Sequence, residues 1–79
     1  MIIREYFYCE NNEVLTVEFS TKEDGDDFYR ILELEYYDIE YYYPDIFDEK
    51  KLKKLDKDDI KDIVEGYLSE NELPEQLTL

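Results

Sequence analysis

Histidine is missing from this 79-residue sequence. Its absence removes the commonest general base near neutral pH and the commonest transition-metal ligand. There is one cysteine, Cys9, so no internal disulfide can form, and the chain reads as made for a reducing cytoplasm. With no histidine to activate it, Cys9 reads as a small core residue rather than a nucleophile. Two glycines are too few for a dinucleotide- or phosphate-binding loop. The only serines, Ser20 and Ser69, fall where a helix cap and a helix end are expected. The first residues, Met1 to Glu5, lack the apolar core of a signal peptide. No apolar run approaches the roughly 20 residues that span a bilayer. These absences point away from catalysis, cofactors and membranes.

Carboxylates are the exception to this scarcity, so metal binding needs its own test. Asp56-Lys57-Asp58-Asp59 and Asp24-Gly25-Asp26-Asp27 resemble the start of calcium loops. In the first, Lys61 occupies the position that needs glycine and no glutamate stands at the twelfth, so the spacing does not fit. No metal site is expected.

What the chain has in abundance is negative charge. Aspartate and glutamate number 23 against 9 lysines and arginines, a net −14. Self-repulsion at that density destabilises a compact state, yet 43% of residues are apolar and 16% aromatic. Disordered chains usually combine high charge with few aromatics, so this is read as one folded domain spanning residues 1–79. Such a field repels nucleic acid and anionic membranes and attracts basic surfaces.

Local patterns give an order of elements. Residues 2–9 alternate, with Ile3, Phe7 and Cys9 on one side and Glu5 a misfit among them. Arg4, Tyr6 and Tyr8 fall on the other side. A polar turn at Glu10-Asn11-Asn12-Glu13 leads to a second alternating run, Val14 to Phe19, in which Leu15, Val17 and Phe19 face inward; together they predict a β-hairpin. Ser20 with Glu23, and Thr21 with Asp24, have capping-box spacing. Phe28, Ile31, Leu32 and Tyr36 repeat at helical intervals, predicting a helix over 21–36. Residues 37–43 are rich in tyrosine and isoleucine and predict a strand with Ile39, Tyr41 and Tyr43 on one face, closed by Pro44. A short helix capped by Asp48 is expected over 49–55, carrying Leu52 and Leu55. A longer one follows over 58–69, where Ile60, Ile63, Val64, Tyr67 and Leu68 form a full amphipathic stripe. Pro74 marks its end, and the tail to Leu79 reads as loose, with Leu77 and Leu79 able to dock on the sheet. The expected fold is α+β: a small three-stranded antiparallel sheet in ββαβα order, with helices on one face.

The charge is uneven. Residues 21–49 hold eleven acids against Lys22 and Arg30, a net −9, while residues 50–61 hold six lysines and a net +3. The lysine run is interleaved with Asp56, Asp58, Asp59 and Asp62, so it reads as a solvated helix face. The acidic middle also contains Tyr29, Tyr36, Tyr37, Tyr41, Tyr42 and Tyr43. Acid with tyrosine has a physical reading. Proteins that hold nucleic acid present rows of lysine and arginine to closely spaced phosphates. Carboxylates on alternate positions of an exposed strand lie roughly 7 Å apart, comparable with phosphates along one nucleic-acid strand. Tyrosine can stack on arginine and is enriched at interface hot spots. The candidate partner-binding residues are therefore Asp24, Asp26, Asp27, Glu33, Tyr37, Asp38, Glu40, Tyr42, Asp45, Asp48 and Glu49.

In size, composition and the acidic stretch from Asp24 to Glu49, the chain resembles phage-encoded acidic inhibitors of host defence, the anti-CRISPR and anti-restriction nucleic-acid mimics. That resemblance implies stoichiometric inhibition in the host cytoplasm. The acidic face would occupy the nucleic-acid channel of a CRISPR effector or of a restriction or repair enzyme, without touching nucleic acid itself. A second reading rests on Asp38-Ile39-Glu40-Tyr41-Tyr42-Tyr43-Pro44, which is similar to the acidic Tyr-Tyr-Pro segment of immunity proteins that neutralise nuclease toxins. A third is a small regulatory or assembly subunit that docks through exposed apolar residues such as Leu73, Leu77 and Leu79.

Overall fold

A computed structural model of the chain describes residues 1–44, 49–71 and 73. Among these described residues, three strands come first: β1 (Ile2–Cys9), β2 (Val14–Glu23) and β3 (Asp26–Glu35). They form one antiparallel sheet in the order β1-β2-β3. Three helical segments among the described residues follow, α1 (Tyr36–Tyr42), the single turn α2 (Glu49–Leu52) and α3 (Lys57–Glu70). The α+β class and the three-stranded antiparallel sheet are as expected, but the order is strands first and helices after.

Two elements are corrected. Ser20 and Thr21 are not helix caps but lie within β2, and the helix expected over 21–36 is the end of β2 plus all of β3. The turn chemistry explains why. Asp24 and Gly25 adopt left-handed φ values of 52° and 88°, which a two-residue type I′ turn demands of both central residues. Asp-Gly is a strong hairpin signal, and it sets Glu23 opposite Asp26. From there Phe28, Arg30, Leu32 and Leu34 face the helices while Tyr29, Ile31, Glu33 and Glu35 face away. The apolar spacing 28, 32 fits both a helix and a strand; the turn decides between them.

The second correction is residues 37–43, expected as a strand and found within and just after helix α1. Tyrosine favours strands, but tertiary burial overrides that preference. Ile39 is fully buried, Tyr36 and Tyr43 pack against the core, and Tyr37 and Tyr41 point outward. That is the i, i+3, i+7 pattern of a helix. It therefore buries Ile39 and half-buries Tyr43 but exposes Tyr41, which a strand would have placed inward. No side chain caps α1; instead the Tyr36 N–H donates to the Glu13 carbonyl at 3.0 Å, satisfying one of the free donors at the helix start.

The first hairpin forms as expected, with one refinement. The pairing of β1 with β2 shifts between Ile3 and Glu5, a bulge that leaves Arg4 and Glu5 on the same side. Past it, Tyr6 and Tyr8 face the helices while Phe7 and Cys9 face away. Phe7 and Cys9 are thus not inward, as simple alternation suggests, because the bulge reverses the phase. The left-handed residue of the loop is Glu13 (φ 53°), and its carbonyl holds the start of α1.

α3 carries its expected stripe, with Ile60, Ile63 and Val64 fully buried and Tyr67 and Leu68 packed beside them. Asp56 closes a capping box: its carboxylate accepts from the Asp59 N–H at 2.9 Å, and the Asp59 carboxylate accepts from the Asp56 N–H at 3.4 Å. The core lies between the sheet and the helices and centres on Leu15, Val17, Phe19, Leu34, Ile39 and the α3 stripe. The Tyr6 hydroxyl reaches across it to the Leu55 carbonyl at 3.3 Å, tying β1 to the segment before α3. Asp48, Pro74, Leu77 and Leu79 lie outside the described residues. Among the described residues, no helix is long and apolar enough to cross a membrane.

Candidate functional site

A sheet with helices on one side has a second face, and here that face is open among the described residues. Strand alternation assigns its residues. β1 contributes Ile2, Glu5, Phe7 and Cys9, with Arg4 added by the bulge. β2 contributes Val14, Thr16, Glu18, Ser20 and Lys22, and β3 contributes Asp27, Tyr29, Ile31, Glu33 and Glu35. The register sorts them into rows across the strands: Ile2, Ser20 and Tyr29; then Glu5, Glu18 and Ile31; then Phe7, Thr16 and Glu33; then Cys9, Val14 and Glu35.

Two features distinguish this face from ordinary solvent-facing sheet. Phe7 is 61% exposed and Ile2 57%, so apolar side chains stand among the acids. A groove of about 540 Å³ runs along it, lined by Glu5, Tyr6, Phe7, Thr16, Glu18 and Ile31. At one end Arg4 stacks over the Tyr29 ring, 5.1 Å from its centroid, a cation–π contact. Neither Glu5 nor Glu18, directly opposite each other in the register, has a cation within ion-pair distance among the described residues. Like charges so placed, with Cβ atoms about 5 Å apart, oppose folding.

Glu33 and Glu35 continue the acidic face towards α1. The Tyr37 hydroxyl donates to the Glu35 carboxylate, and that hydrogen bond, with the nearby Glu35 and Asp38 charges, pushes the Tyr37 pKa above its ordinary value. Tyr37 is 66% exposed and Tyr41 69%; one helical turn apart, they share the outer side of α1 with exposed Glu40 and half-buried Asp38.

The candidate residues thus divide. Glu33, Tyr37, Asp38 and Glu40 come together where β3 passes into α1. Asp24, Asp26 and Asp27 sit at the tip of the β2–β3 hairpin, about 20 Å or more away along β3, in a molecule whose longest extent is 38 Å. They form a separate acidic tip, in which Arg30 pairs with Glu23 at 3.5 Å. Tyr42 is committed internally. It packs edge-on to Tyr41 and Tyr67, its Cβ lies 3.7 Å from where a side chain on Gly66 would begin, and its hydroxyl accepts from Asn71 Nδ2 at 2.8 Å. Asp45 and Asp48 lie outside the described residues, and Glu49 begins α2.

Sequence reasoning missed Glu5, Glu18 and Glu35 as members of one face. The signal was present for Glu5: a charge breaking an apolar alternation marks either an error of phase or a bulge. Among the described residues, no three histidine, cysteine, aspartate or glutamate side chains converge to hold a metal. The lysine-rich segment supplies ion pairs, from Lys53 to Glu10 and from Lys61 to Glu65 at 3.9 Å, in keeping with a solvated helix face. No family model, curated protein sequence or solved structure matches this chain.

Proposed function

We propose that this chain is a stoichiometric inhibitor that binds a basic, nucleic-acid-binding protein in the cytoplasm through an acidic, tyrosine-bearing surface, and performs no catalysis. The observation that carries the reading is the placing of Glu5, Glu18, Glu33 and Glu35 on the helix-free face of the sheet, with exposed Tyr37 just beyond them on α1. Successive carboxylates along β3 repeat at roughly 7 Å, and the sheet holds them without the entropy cost of ordering a loop. The targets such a surface suits are a CRISPR effector or a restriction or repair enzyme, whose cationic channel otherwise holds phosphates.

The test converts Glu33, Glu35, Asp38 and Glu40 to their amides. A partner captured from host lysate and eluted in salt steps should be lost from this variant, while the wild-type complex should weaken steeply with salt and be displaced by DNA or RNA. Undiminished capture by the variant, or a partner that nucleic acid cannot displace, overturns the reading.

A second reading, immunity to a nuclease toxin, draws on the exposed Tyr37 and Tyr41 beside Asp38 and Glu40 on α1. It is distinguished by a nuclease toxin as the most tightly bound partner, with binding lost in a Tyr37→Ala, Tyr41→Ala double variant as well as in the amide variant. An assembly subunit would instead depend on Ile2, Phe7 and the 41%-exposed Leu73 and tolerate salt.

A further inference from the structure

We infer that the groove on the open sheet face is a socket for an arginine side chain of a partner protein, with Glu5 and Glu18 receiving the guanidinium and Phe7 and Ile31 packing its stem. The inference rests on the proposed function for the basic character of the partner, but concerns a different part of the face from Glu33, Glu35, Asp38 and Glu40.

Three observations converge on it. First, the groove combines the apolar side chains of Phe7 and Ile31 with two carboxylates opposite each other in the register. An arginine carries the same combination, an apolar stem and a planar fork of donors suited to paired carboxylates. Lysine has the charge but not the fork. Second, the two glutamates oppose each other in register without a counter-ion among the described residues. The arrangement costs stability in the free protein, and a cation brought to it by a partner would relieve that cost. Third, the neighbouring guanidinium of Arg4 is engaged on the Tyr29 ring. The same face therefore already holds one guanidinium against an aromatic ring, with Phe7 as the exposed aromatic two rows from Tyr29 and next to the Glu5–Glu18 row.

The bulge makes this possible. Without it, Glu5 would point into the core and Phe7 would join it; the extra residue places the carboxylate at the groove and leaves the phenyl ring beside it. Docking would cover apolar surface that is otherwise open to water.

The experiment titrates the full chain with a short, otherwise uncharged peptide carrying a single arginine, followed by backbone amide NMR shifts. Matched peptides carry lysine or citrulline instead. The arginine peptide should shift the amides of Glu5, Phe7, Glu18 and Ile31, bind several-fold more tightly than the lysine peptide, and leave the citrulline peptide without effect. Glu5→Gln with Glu18→Gln should weaken arginine binding on the order of tenfold while raising the melting temperature, a pairing that a merely structural role would not give. Equal binding of arginine and lysine peptides, shifts elsewhere on the protein, or binding unchanged in the double variant overturns the socket. The amide variant at Glu33, Glu35, Asp38 and Glu40 should keep peptide binding. Failure of nucleic acid to displace the captured partner would thus remove the mimicry while leaving the socket standing, and loss of the socket would leave nucleic-acid competition untouched.

Discussion

The two faces of this sheet are made by the same three strands and have opposite fates. On the helix side, Leu15, Val17, Phe19 and Leu34 are essentially inaccessible to water and meet Ile39, Ile60, Ile63 and Val64. On the other side, alternate residues of the same strands present Glu5, Phe7, Glu18, Ile31 and Glu33 to solvent. A residue's neighbour in sequence thus contributes to folding while the residue itself contributes to charge and contact. The difference teaches where to look for function in a small domain: in what the fold leaves unsatisfied, since the core is fully engaged in holding 79 residues together.

The sharpest way to test that division is to remove one phenylalanine from each face. Phe19→Ala should cost about 3–5 kcal/mol through lost burial and the cavity left behind, most of the stability available to a domain of this size. Phe7→Ala, on the same sheet but exposed, should change stability by no more than about 0.5 kcal/mol. Urea unfolding followed by circular dichroism measures both. Similar losses from the two would mean that Phe7 is buried in the folded protein and the open face is not open.

A smaller effect is expected at the turn that keeps the faces in register. Gly25 sits at φ 88° with no atom close to where a side chain would start, so Gly25→Ala meets no clash and its cost is conformational alone, about 1 kcal/mol. Gly66 is the control: its Cβ position lies at ordinary contact distance from Tyr42 within helix α3, where alanine is favoured over glycine by about 1 kcal/mol. The two substitutions should therefore move stability in opposite directions. If Gly25→Ala were neutral, the left-handed turn would not be what fixes the pairing of β2 with β3.

How much of this could be read from the chain depends on which signal was local. The α3 stripe from Ile60 to Leu68 was legible because five apolar positions share one period and Asp56 stands at its head. The first hairpin was legible because Leu15, Val17 and Phe19 alternate without interruption. Residues 21–36 were not, because two signals conflict there: capping-box spacing at Ser20–Glu23 against Asp-Gly at a turn, with an apolar pattern that suits either. Residues 37–43 were misread for the opposite reason. Their intrinsic preference is for strand, and only burial of Ile39 against elements distant in sequence makes them helical. The acidic character of the candidate site was plain from composition, but its division into a hairpin tip and an α1 end follows from β3 being a strand. A helix over the same residues would be about half as long and would have brought the two groups closer.

The smallest effect distinguishes a carboxylate the protein has partnered from those it has not. Glu35 accepts a hydrogen bond from the Tyr37 hydroxyl, and this, with the Glu35 and Asp38 charges, raises the Tyr37 pKa. Ionising the phenol removes the donor and sets a third negative charge beside two. A group whose folded pKa lies above its unfolded value contributes stability that is complete below the unfolded value and is lost as pH rises through the folded one. For Tyr37 the loss should begin near the ordinary tyrosine value of about 10 and extend above it. Its hydroxyl is exposed, so solvent screening keeps the contribution small. The stability difference between wild type and Tyr37→Phe should accordingly shrink as pH rises through about 10 and beyond, with phenolate absorbance reporting the ionisation directly. Parallel alkaline declines in the two proteins would mean that Glu35 is as unpartnered as Glu5 and Glu18, and would extend the unsatisfied acidic face without a break from the bulge in β1 to the start of α1.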